Sequence, residues 1–346
     1  MSDKYLLRRA EYALEDEQRA LRDAFSSFYA RECPPSRVRD SEPLGFDDKL
    51  WSRLVDMGAV GMAVPEANGG DGAGLVDLVL VAELHGCHLA PVPLVEAVTA
   101  ARLLAAVEAP GLDQVLAGSR LVTFAVQSAT TGRPQLLPSG AVADAVVALV
   151  GDDLVLTSLD PHLESVGNQA HAPLAWWTPG RGEVLASGPT AVVAYAQALR
   201  EWRLLMAATQ VGIADGALAV AAAFAKDRMA FGVPIATFQA VSHPLVNVAI
   251  DVTGARRMVW RAAWFEDHEP GVEPQLVPMA YVQACATAGR ASSIGIHAQG
   301  GLGFTMESDM QLHFRRAKGW ANVAGDPQAV LTEVADILYP ATGTAG

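Results

Sequence analysis

The sequence predicts a mainly α-helical protein with a small antiparallel β domain in its middle. Three observations carry that expectation. Apolar residues recur at helical spacing through the first third. Short β-branched runs separated by Gly, Pro, Asp and Ser fill residues 121–196. Long Ala-rich runs follow from Leu199. The expected units are an N-terminal helical domain (1–118), a middle β domain (119–197) and a C-terminal helical bundle (198–346).

In the first unit, EDEQRALRDAFSSFYARE (15–32) sets Leu21, Phe25 and Phe28 at helical spacing, and Cys33-Pro34-Pro35 ends the run. DDKLWSRLVDMGAVGM is a second helical stretch. PEANGGDGAGL (65–75) packs four glycines and a proline into a polar window and predicts a loop. VDLVLVAELHG and PLVEAVTAARLLAAV then resume the helical pattern to Val107. In the middle unit LVTFAVQ, AVVALVG, DLVLTSLD and TAVVAYA read as strands, with SATTGRPQLLPSG (128–140) as a turn-rich connector. From Leu199 the chain carries Ala or Gly almost every turn, which lets neighbouring helices pack closely. Two further helices are expected from Gln239 to Asp267 and from Glu273 to His297, and a short last one from Pro327 to Leu338.

Charge and cysteine content narrow the function classes. Against 38 acidic side chains stand 25 basic ones, a net charge of −13, which argues against a nucleic-acid partner. Three cysteines without close spacing argue against a disulfide framework or a metal site. The start MSDKYLLRRAEYALEDEQ lacks an apolar core and a small-residue cleavage site. No run of 18 apolar residues occurs, so the expectation is a cytoplasmic protein with no membrane partner.

Two segments carry the chemistry. RMAFGVPIATFQAV (228–241) interrupts two helical runs with an unusual set of residues. Gly232 and Pro234 bend the backbone, and Phe231 and Phe238 can wall a flat ligand or fill a core. Arg228 presents a fork of donors suited to phosphate, and Gln239 can donate and accept. IHAQGGLGFTMESDMQLHFRRAK (296–318) supplies Gly300, Gly301 and Gly303, then Phe304 and an acidic and a basic cluster. By itself it reads equally as a glycine C-cap followed by a solvated helix.

Together these segments resemble the acyl-CoA dehydrogenase family, whose motifs are close to R-x-x-F-G-x-x-I-x-x-F-Q-x-x-x-H and Q-x-x-G-G-x-G-F. PEANGGDGAGLVDLVLVAELHG is similar to that family's N-terminal loop and helix, and the order of elements agrees over nearly the whole chain. The resemblance implies a fold of N-terminal helices, a β domain and a four-helix bundle. It implies FAD as cofactor, an acyl-CoA thioester as substrate, self-oligomers or a homologous partner subunit, and an electron-transfer flavoprotein as acceptor. It places Arg228 and the turn at Gly300, Gly301 and Gly303 on the flavin diphosphate, and Phe231 on the cofactor. It sets Gln239 on the adenosine half of a neighbour's FAD. His297, Asp326 and Gln328 also fall at cofactor positions, and Arg203 at a substrate position.

The chain departs from the family at two kinds of place. The Gln that opens the second motif is His297 here. TFAVQSATTGRP stands where a flavin-contacting T-E-P-x-A-G-S-D is usual, without its acidic residue. The base is the larger departure. The family's reaction needs a carboxylate aimed at the α-proton and donors on the thioester oxygen. The usual position of that carboxylate holds Ala324, and the alternative one, on the first bundle helix, holds Trp202. Glu201 is one residue, about 100° of helix, away from the alternative position; it is either a displaced base or a carboxylate near a helix start. Asp326 is the weaker candidate.

The resemblance therefore implies the base-lacking chain of a heteromeric FAD-dependent acyl-CoA dehydrogenase, of the α2β2 kind that acts on steroid or other bulky acyl-CoA. Two alternatives stay open. One is a self-sufficient homo-oligomer using Glu201, and the other a catalytically silent scaffold or ligand-binding relative. His243 and His313 fit capping, core or diphosphate roles, and Trp176 and Trp177 mark a β-domain turn.

Overall fold

A computed structural model describes residues 13–159 and 161–340. The first twelve residues, on which much of the targeting expectation rests, lie outside that range. The N-terminal unit holds α1 (Asp16–Glu32), α2 (Pro35–Asp40), α3 (Asp48–Asp56), α4 (Leu75–Cys87), α5 (Leu94–Ala106) and α6 (Leu112–Leu116). Helix α1 stops where Cys33 and Pro34 leave the helical region, with Phe25, Phe28 and Tyr29 as its buried face. Asp47 caps α3 by accepting from the Leu50 amide. Helices α4 and α5 are apolar nearly all round, and both are buried.

The middle unit contains β1 (Val122–Phe124), β2 (Gln135–Leu137), β3 (Ala145–Val150), β4 (Asp153–Ser158), β5 (Ala175–Trp177) and β6 (Glu183–Ser187). Four of them form one sheet in the order β1-β3-β4-β6, and β2 pairs with β5 apart from it. The sheet is antiparallel except at β1–β3, which run parallel. Both faces of β3 are covered, so its run AVVALV is apolar throughout rather than alternating.

Helix α7 (Gly188–Asp227) follows at once, and here the structure corrects the sequence reading. TAVVAYA is not a strand but part of the opening turns of this helix, which starts ten residues before the expected boundary. Gly188 (φ 64) turns the chain out of β6, and Pro189 occupies the first turn, where its missing N–H costs nothing. Ala191, Tyr195, Ala198 and Trp202 then recur on one buried stripe. The tight hairpin β7 (Met229–Ala230) and β8 (Val233–Pro234) leads into α8 (Gln239–His268) and α9 (Leu276–Gln299). A 3-10 segment (Gly300–Phe304), α10 (Met310–Gly319), two short 3-10 turns and α11 (Val330–Leu338) complete the described chain.

Helix α7 is the axis of the molecule: α4, α5, α8, α9 and α10 all pack on it. It is long and apolar enough to cross a membrane, but 78% of its most apolar window is buried inside the protein, as in a core helix.

Candidate functional site

The joint after α7 is a two-residue hairpin. Its turn residues, Phe231 (φ 54) and Gly232 (φ 84), both lie in the left-handed region. Such a turn ordinarily takes Asn-Gly or Asp-Gly, and a bulky residue there costs about 1–3 kcal/mol. Phe231 is also 96% exposed and meets Phe238 edge-on at 6.1 Å. A strained aromatic turned into solvent is unexplained by packing within one chain. Arg228 and Gln239 are exposed on the same connector, so the first predicted group stands together.

The glycine turn divides into two roles. Gly300 (φ 59) ends α9 in a conformation L side chains avoid, and a Cβ at Gly300 or Gly301 would meet nothing within 4 Å. That backbone edge is open to a ligand. Gly303 is buried instead, where a Cβ would come 2.6 Å from the Ile296 carbonyl oxygen. It is a packing glycine that seats the 3-10 turn on the end of α9. His297 is exposed on the last turn of α9.

The residues expected at the base positions lie elsewhere, near a cavity where the three units meet. Trp202 is fully buried and donates its indole N–H to Glu96 at 3.2 Å. Ala324 closes a short 3-10 turn, and its neighbour Val323 lines the cavity. Glu201 is buried outside the cavity wall. Both its oxygens accept from Arg102, at 2.7 and 3.1 Å, and one also accepts from Gln197 at 3.3 Å. Asp326 is exposed and caps its own turn through the Gln328 amide at 2.9 Å, leaving Gln328 exposed beside it. Arg203 is ion-paired with Glu333 at 2.6 Å. His313 is buried against Gly216, whereas His243 is exposed, and Trp176 faces solvent while Trp177 is buried.

The cavity holds about 60 Å³ of free space, and its walls include His85, Glu96, Ser139, Met206, Trp320 and Val323. That is room for a few waters, not for a tricyclic ring. Glu96 is its carboxyl group. Burial pushes the Glu96 carboxyl up, against the opposing pull of hydrogen bonds from Trp202 and Ser139. Burial pushes His85 down to about 3, so its ring is neutral, stacked on Trp320 at 5.6 Å. Sequence reasoning missed Glu96, His85 and Trp320. A carboxylate inside the apolar helix PLVEAVTAARLLAAV was the available signal, because charged residues are rarely buried without partners.

These residues fit FAD only in part. An exposed arginine, an open glycine edge and an unpacked phenylalanine suit a dinucleotide's diphosphate and adenosine half approaching from outside. The junction cavity does not accept the flavin ring in this chain, so no hydride or proton step is assigned to it.

Comparison with known proteins gives a consistent result. Residues 15–109 match the acyl-CoA dehydrogenase N-terminal domain, and residues 192–338 match the acyl-CoA dehydrogenase C-terminal domain. The chain is 30% identical over 331 residues to acyl-CoA dehydrogenase IpdE2 of Mycolicibacterium smegmatis, covering 92% of this chain and 97% of that one. Among solved structures it is similar to the Tcur3481–Tcur3483 steroid ACAD G363A variant, with TM-score 0.84, 27% identity and coverage of 93% and 98%. The ChsE4–ChsE5 complex from Mycobacterium tuberculosis shares the fold, with TM-score 0.84, 24% identity and coverage of 95% and 98%.

Proposed function

The chain belongs to the acyl-CoA dehydrogenase family, and on that premise we propose that it is the base-lacking subunit of a heteromeric, FAD-dependent, cytoplasmic enzyme. The assembly converts a bulky acyl-CoA to its trans-2-enoyl product, with a homologous chain supplying the carboxylate base. One observation carries this reading. The carboxylates that the sequence offered near the base positions are committed elsewhere, Glu201 to Arg102 and Asp326 to its own turn, while Ala324 and Trp202 stand at those positions.

In this reading bound FAD would supply the acceptor for the β-hydride, with an electron-transfer flavoprotein as the onward acceptor. The contribution of this chain is positional. Arg228 and the Gly300–Gly301 edge would hold the cofactor's diphosphate, Phe231 would pack on the cofactor, and Gln239 would serve the adenosine half of a neighbour's FAD. The two-component steroid ACAD among the similar structures supports both the heteromer and the bulky substrate by analogy.

The test is the flavin-to-chain ratio, by visible spectrum and native mass. Expressed alone, the chain is expected to be colourless; with its homologous partner, the assembly is expected to hold about one flavin per two chains. A yellow homo-oligomer with one flavin per chain overturns the reading.

A second reading is favoured by Glu96, the carboxyl group on the cavity wall, reached by the side chain that occupies the alternative base position. If the cavity widens to admit substrate, Glu96 is the base of a self-sufficient enzyme. Glu96→Gln then lowers kcat at least 10²-fold, the ordinary worth of a positioned base. Under the heteromeric reading the same variant leaves kcat of the assembly within a few-fold of the natural one.

A further inference from the structure

Arg316 is a buried cation whose donors are not all used. Its side chain is 1% exposed and faces Glu42 in the loop after α2. Nη1 donates to Glu42 at 3.2 Å and to the Leu312 carbonyl at 3.5 Å. One face of the guanidinium lies over the Trp320 ring at 5.9 Å. The remaining edge, Nε and Nη2, is buried and has no partner among the described residues. Two parallel N–H groups on one guanidinium edge are the fork that grips anions.

The local charges do not balance. Glu42 is shared with Arg315, whose Nη2 reaches both of its oxygens at 3.0 and 3.1 Å. Nearby cations have their own partners: Arg39 pairs with Asp309, and Arg37 with Asp47 and Glu32. The other titratable groups around Arg316 are neutral. Burial raises Cys33 to about 12 and Tyr29 well above its usual value, lowers His313 to about 4 and also lowers His171. Two guanidinium charges thus face one carboxylate. The Tyr29 hydroxyl and the His313 Nδ1 are further buried polar atoms without partners. A water would satisfy donors but leave the surplus charge, whose burial without a counter-ion is costly.

We propose that the Nε–Nη2 edge of Arg316 binds a small monovalent inorganic anion, of halide size, where α10 meets the loop after α2. Size follows from enclosure: the Arg316 side chain is 1% exposed, and it is not a wall of the junction cavity. The ion neutralises the Arg315–Arg316–Glu42 cluster and ties the N-terminal helices to the bundle.

The experiment replaces sodium gluconate by sodium chloride at constant ionic strength and follows thermal unfolding of the full chain in its assembled form. The melting temperature is expected to rise saturably, by roughly 2 °C per tenfold of chloride above the dissociation constant, and bromide is expected to act alike. Arg316→Gln removes the halide dependence. Because that variant risks misfolding, the natural chain crystallised in bromide gives an independent readout, an anomalous peak within hydrogen-bond distance of Nε and Nη2. Equal melting in gluconate and chloride, or a water at that edge in saturating bromide, overturns the proposal.

Discussion

Gly212→Ala is expected to destabilise the protein by at least about 3 kcal/mol, although the same change in an ordinary helix interior gains roughly 0.5–1 kcal/mol. The reason is the crossing of α4 and α7. An added Cβ at Gly212 would lie 1.8 Å from the Glu83 carbonyl oxygen and 2.7 Å from the Cys87 amide nitrogen. From the other side, a Cβ at Gly86 would lie 2.0 Å from the Thr209 carbonyl oxygen. All of these obstacles are backbone atoms inside helices, so no side chain can rotate away. The helices would have to separate, opening a seam that also includes Gly216, whose added Cβ would lie 2.7 Å from the Cys87 carbonyl oxygen. Overpacking normally costs about 1–3 kcal/mol, and a backbone obstacle on a central helix belongs at or beyond the top of that range. Gly254→Ala is the control. Gly254 sits within α8 with nothing within 4 Å of its would-be Cβ, and the substitution there is expected to be neutral or stabilising. Chemical denaturation of both variants decides the matter; a Gly212→Ala protein as stable as the natural one would show that the helices are not in backbone contact.

That close crossing was legible in outline, because Ala and Gly recur almost every turn of the α7 sequence. The strands LVTFAVQ, AVVALVG and DLVLTSLD were legible for a similar reason: each is a short β-branched run bounded by turn residues. TAVVAYA has the same local look, with two valines and a tyrosine in seven residues. Its true period shows only over a longer window, where Ala191, Tyr195, Ala198 and Trp202 share one face. The candidate site divides in the same way. Arg228, Phe231, Gln239, Gly300 and Gly301 are local motifs and could be read in place. Glu201 looked available until the fold brought Arg102, 99 residues away in sequence, against it. Glu96 was invisible because its neighbours Trp202 and Ser139 come from other units of the chain. Ala324 and Trp202 were readable one residue at a time as departures from the resembled motifs, whereas the carboxyl group on the cavity wall required the tertiary structure.

Acid is expected to unfold this protein through its buried imidazoles. His85 and His313 are pushed down by burial to about 3 and about 4, against an ordinary value of 6.5. Between the folded and unfolded values the unfolded chain binds the extra protons, so stability falls as pH falls. The contribution is complete above pH 6.5 and is lost at roughly 1.4 kcal/mol per pH unit for each residue. By pH 4 the two together remove about 6 kcal/mol, comparable with the whole stability of an ordinary domain. Buried carboxyls act in the opposite sense. Burial raises Glu83 and Glu96, so the folded state holds their protons and gains stability as pH falls toward 4.5. The histidine part is therefore isolated by difference. The slope of unfolding free energy against pH is to be measured between pH 6 and 4.5 for the natural chain and for His85→Asn/His313→Asn. Loss of about two protons from that slope is the expected result. An unchanged slope would mean that both rings take up protons in the folded state, which requires water or a carboxylate beside them.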